Sequence, residues 1–291
     1  MQSSSSAYDW KRFSPAELGG YESVNDAVGV LRDALAAVIN LETLLRSPKV
    51  GPKALQMVVP GLLDQRRAVT EAMAALLAHI ADDERVHGAM CDILAEVTAG
   101  RERFGNALDR ASKAGLFTAR ERLSFQAEVE RFRCEMQAFD ELVRLLVSAK
   151  QARPTELDLR EAIEHAFLRS QREVARENRP PNVTVRLSLP HQRWTLVARP
   201  SIVTPLVTIA VALVHRATGN EPSIVAEARD DGWLRLIVSE PTSSAGEVFS
   251  IQTPVLVPCS VPCAQAAAQA AGGAFEVSPD ERSVEIRWRR C

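Results

Sequence analysis

IAVALVHRATGNEPSIVAEARDDGWLRLIVSEP, Ile209–Pro241, changes its hydrophobic period in mid-course. Its first part is an apolar run that extends back to about Ser201 and ends near Ala217, as a largely buried helix does. Gly219, Asn220 and Pro222 then break the pattern. SIVAEAR and WLRLIVS alternate apolar and polar residues, and Asp230, Asp231 and Gly232 separate them as a turn between two strands.

The same alternation extends outward on both sides. Upstream, VTVRLSL reads as a half-buried strand, and WTLVA as its hairpin or neighbouring partner. Before them DLREAIEHAF is a helix opened by a capping box, Asp158 with Glu161, and closed by the paired prolines of RENRPPN. Downstream come a loop of about twenty residues, an alanine-rich helix around Ala264–Ala271, the stop Gly272-Gly273, and the strands AFEVS and SVEIRWR. This order predicts an α/β sandwich over 153–291, a mixed sheet with helices on one face.

Residues 21–152 are helical by their spacing. A first helix spans Ser23–Leu45, and a second region opens near Pro52 or, past Pro60, near Gly61. The pattern continues through Val86, Met90, Leu94, Val97, Phe104 and Leu108, either as one long helix or as two broken near Asp82, Asp83 or Gly88. Thr118 and Glu121 form a second capping box. Behind it Phe125, Val129, Phe132, Met136, Phe139 and Val143 step by four and three. Such a seam needs cover, so the expected arrangement is an N-terminal antiparallel helical bundle, closed by four helices of one chain or by two chains as a homodimer. Residues 1–20 are polar and read as a disordered segment. The whole is an α+β protein of two domains.

A chain of 291 residues with 46% hydrophobic and 25% charged side chains has material for two cores. A net charge of -2, with bases and acids interspersed, gives no reason to expect nucleic acid or a membrane surface. MQSSSSAYDWKRF lacks the apolar core of a signal peptide, and no later run reads as a membrane span, so the expected location is cytoplasmic. Five scattered cysteines argue against a disulfide framework, and Cys259 with Cys263 has no second ligand pair, so no metal is expected.

The run FRCEMQAFDELVRLLVSAKQARPTELDLREAIEHAF, Phe132–Phe167, resembles the second dimerisation helix of a sensor histidine kinase passing into its ATP-binding domain. The later element order resembles that domain too, the fold shared by gyrase, histidine kinases and mismatch-repair ATPases. The resemblance covers roughly Phe117–Arg290 and rests on element order and local patterns. It implies a catalytic domain of histidine kinase ATPase type, yet the expected nucleotide residues are missing. The family's magnesium-binding asparagines fall at Ile209 and Leu213, and a shifted register offers His215. Neither aliphatic side chain can hold a cation that takes oxygen ligands. The adenine-reading aspartate and glycine fall at Glu240 and Thr242. The phosphate-wrapping glycines fall within Val257–Pro262, where prolines remove amides and backbone freedom.

The family's phosphoacceptor position falls at or near Gly29, which has no nucleophile. His79 and His87 lie near Asp82, Asp83 and Glu84, and His87 is the better phosphoacceptor candidate, although its spacing puts it on the buried stripe. His165, His191 and His215 read as structural. The reading is a non-catalytic two-component signalling or scaffold protein, a pseudo-histidine kinase that uses no cofactor. The implied partner is a response regulator receiver domain or a sensor histidine kinase. Two alternatives remain: a histidine phosphotransferase acting through His87, and an ATPase of altered site that uses Glu240.

Overall fold

The computed structural model describes Gly29 and residues 84–113, 119–151, 155–165, 167–168, 183–189, 194–198, 200–228, 231–241 and 246–289. The chain divides into two compact units, Met1–Asp140 and Glu141–Cys291. The expected helix at Ser23–Leu45, the region after Pro52, residues 1–20 and the Thr118 cap lie outside the described residues.

In the first unit α1 spans Glu84–Lys113. It runs through Gly88 unbroken, which removes one of the two breaks the sequence left open. Helix α2 spans Ala119–Gln151 and crosses the division between the units. Along it Phe125, Val129, Met136, Phe139 and Val143 are all at most 4% exposed, while Phe132 is half-buried. Phe132 stacks on Phe104 of α1 at 4.7 Å between centroids and 3° between planes, and Phe125 lies 6.4 Å from the same ring. Arg103 of α1 donates to both carboxylate oxygens of Glu135, at 2.9 and 3.1 Å. The two helices therefore meet at Phe104, Phe125 and Phe132, with an ion pair beside the rings.

The second unit opens with β1, Thr155–Asp158. Helix α3 follows at 159–165 and 167–168. Asp158 Oδ1 accepts the Glu161 N–H at 3.1 Å, the capping contact that starts α3 where the sequence predicts it. Next come β2 (Val183–Ser188), β3 (Thr195–Ala198) and α4 (Pro200–Thr218). Then β4 (Ser223–Ala228), β5 (Trp233–Ser239), β6 (Glu247–Ile251), α5 (Ser260–Ala270), β7 (Ala274–Val277) and β8 (Ser283–Arg289) complete the unit.

Six strands form one sheet in the order β6-β2-β4-β5-β8-β7. The β2–β4 pair is parallel and the other pairs are antiparallel, so the sheet is mixed. Alternate residues of the central strands, Val185, Ile224, Leu234, Leu236, Ile286 and Trp288 among them, are buried on one face. Helix α4 packs on β2, β5 and β8, and α5 packs on β7 and α4. The Phe167 ring of α3 meets Phe249, whose partner Val185 is buried on that same face. The helices thus share one face of the sheet, as the α+β reading predicts.

Three expectations need correction. WTLVA does not pair with VTVRLSL: β3 pairs antiparallel with β1, from Thr155↔Ala198 to Asp158↔Thr195, in a separate two-stranded sheet. TELD is too short to show a period, so its role as partner is invisible until the fold brings it there. The loop expected after β5 contains β6, an edge strand whose first residues Glu247 and Val248 are exposed, which hides the alternation. Finally, the window Ser201–Thr218 of α4 is long and apolar enough to cross a membrane by length and composition, with mean hydropathy 1.5. It is the central core helix here, with Ile202, Val203, Leu206, Val207 and the whole run Ile209–Val214 buried.

Candidate functional site

The chain direction decides which residues meet. A tight turn at Gly219-Asn220 sends β4 back along α4, and β5 returns antiparallel to β4. The end of β5 and the start of β8, paired at Ser239↔Ser283, therefore lie at the C-terminal end of α4. Glu240 sits there as the first residue beyond β5.

Both oxygens of its carboxylate accept a hydrogen bond. Asn220 Nδ2 donates to Oε1 at 2.9 Å, and Arg282 Nη2 donates to Oε2 at 2.6 Å. The Asn220 hydrogen bond, followed by that of Arg282, holds the Glu240 carboxyl below the usual range against the opposing effect of desolvation. The surrounding groups fix those donors. His215 Nδ1 lies 2.9 Å from the Asn220 carbonyl, and Thr218 Oγ1 accepts the Asn220 N–H at 3.1 Å. On the other side Asp280 accepts the Ser278 hydroxyl at 2.7 Å and the Arg282 N–H at 3.2 Å, while Arg216 pairs with Glu281 at 2.7 Å. The Ser278 hydroxyl and then the Arg282 N–H lower the Asp280 carboxyl in turn. Each oxygen of the carboxylate thus already carries one donor from within the domain.

The other two positions expected for a nucleotide lie in the core and at the start of α5. Ile209 and Leu213 are 4% and 1% exposed, so they are core as well as aliphatic. At α5, which starts at Ser260 and so includes part of the expected phosphate loop, two of the amides are bonded within the chain and a third position has none. The Ser260 N–H donates to the Val257 carbonyl, the Cys263 N–H to the Cys259 carbonyl, and Pro262 has no N–H. Ser260 Oγ in return accepts the Val257 N–H at 2.9 Å. Pro262 stands in the first turn, where a missing N–H costs the helix little. Cys259 and Cys263 are buried free thiols. Among the described residues no group of three or more His, Cys, Asp or Glu side chains is placed to hold a metal ion.

His87 lies on α1, half-buried. Its Nδ1 is buried without a hydrogen-bond partner among the described residues, and its Nε2 faces Cys91 Sγ at 3.6 Å. Of the acids thought to assist it, Glu84 is exposed, and Asp82 and Asp83 lie outside the described residues. Gly29 is helical and half-buried. His165 is exposed on α3. Asn220 and Arg282 were not singled out from the sequence. Asn220 carries only the signal of a turn residue after glycine, and Arg282 is one arginine among many until β8 pairs with β5.

No protein-family model matches the sequence, and no curated protein matches it. Among solved structures, the chain is similar to the Acinetobacter baumannii histidine kinase AdeS, with 10% identity, 67% of this chain and 96% of that chain covered, and a TM-score of 0.40. It is similar to the histidine kinase ThkA, solved in complex with the response regulator TrrA, with 14% identity, 68% of this chain and 60% of that chain covered, and a TM-score of 0.45. A histidine kinase from Burkholderia phymatum matches with 15% identity, 75% of this chain and 96% of that chain covered, and a TM-score of 0.35. With every TM-score below 0.5, these overlaps are partial and say nothing of activity.

Proposed function

We propose that the chain is a signalling protein of two-component type whose second domain keeps a histidine-kinase-type sandwich and works without ATP, by binding other proteins. The observation that carries this reading is the tie of Glu240 to its own domain, held on both oxygens by Asn220 and Arg282. The aliphatic core positions Ile209 and Leu213, and Pro262 in the first turn of α5 where it can offer no N–H, support it independently. The resemblance of Phe117–Arg290 to histidine kinases supplies the class. A receiver domain of a response regulator, or a sensor histidine kinase, is the partner this class suggests. The seam Phe125, Val129, Phe132, Met136, Phe139 and Val143 serves the helical bundle, being largely buried within the single chain, and pairing as a homodimer and a cytoplasmic location complete the reading.

The test is calorimetric titration of the full chain with ATP and a nonhydrolysable analogue, with and without magnesium. The expected result is no saturable heat. Saturable binding that weakens in Glu240→Ala would overturn the reading in favour of an ATPase of altered site.

A further inference from the structure

We draw no further inference here: the strongest candidate, the outer edge of β6 at the end of the six-stranded sheet, where Val248 is exposed and Arg160 of α3 holds Glu247 at 3.2 Å, is an open strand edge, and nothing among the described residues shows what covers it.

Discussion

Arg282 Nη2 and Glu240 Oε2 are 2.6 Å apart across 42 residues of sequence, and the bond ties the β7–β8 turn to the end of β5. Asn220 holds the other oxygen. Because these donors lower the Glu240 carboxyl, its folded-state pKa lies below the unfolded value. The stabilisation is then fully present above the usual glutamate range and is lost as pH falls through the lowered folded value. Asp280 shifts the same way and adds to the effect. Hydrogen exchange of the turn amides 278–283 is expected to accelerate as pH falls below the usual carboxylate range, after correction for intrinsic rates. Glu240→Gln should flatten much of that acid response, and an unchanged profile would count against the ion pair.

Gly273 has no room for a side chain. A Cβ there would lie 2.5 Å from the Arg287 carbonyl oxygen and 3.2 Å from the Trp288 ring. Backbone cannot yield as a flexible side chain does, so Gly273→Ala should cost about 1–3 kcal/mol by overpacking. Gly88→Ala on α1, with open space around it, should instead stabilise by up to about 1 kcal/mol through helix propensity. Urea denaturation of the two variants should move the midpoint in opposite directions.

The stack of Phe104 on Phe132 anchors α1 to α2. Phe104 is 2% exposed. Phe104→Ala should therefore destabilise by about 3–5 kcal/mol. Leu123, 66% exposed on the same helix as Phe132, should change stability by no more than about 0.5 kcal/mol when replaced by alanine. Thermal melts that show similar losses for both would refute this packing.

Asp158 ends β1 and caps α3 in one residue. Asp158→Ala should cost about 1 kcal/mol through loss of the bond to the Glu161 N–H, while Asp158→Asn should keep most of it. The comparison is read from chemical denaturation; equal losses for the two would rule out the cap.

Much of the fold was legible because its signals are local. The seam on α2, the Asp158 cap, the alternation in VTVRLSL and WLRLIVS, and the Gly272-Gly273 stop each depend on residues within a turn or two. TELD and EVFSI were not legible, because a four-residue strand and an exposed edge strand carry no period of their own. The partner of WTLVA was misread for a related reason: adjacency in sequence favours a hairpin, while the fold offers β3 a strand some forty residues earlier.

At the candidate site, sequence alone determined the chemistry that is absent from each position: aliphatic side chains at Ile209 and Leu213 and a proline at Pro262 have the same donors in any fold. Only the tertiary structure decided what Glu240 and His87 do. A carboxylate or an imidazole is defined by its neighbours, and those of Glu240 lie 20 and 42 residues away, brought to one end of the sheet by the antiparallel returns of β4, β5 and β8. His87 meets Cys91 within one helical turn, but the burial that seals its other nitrogen belongs to the packed fold.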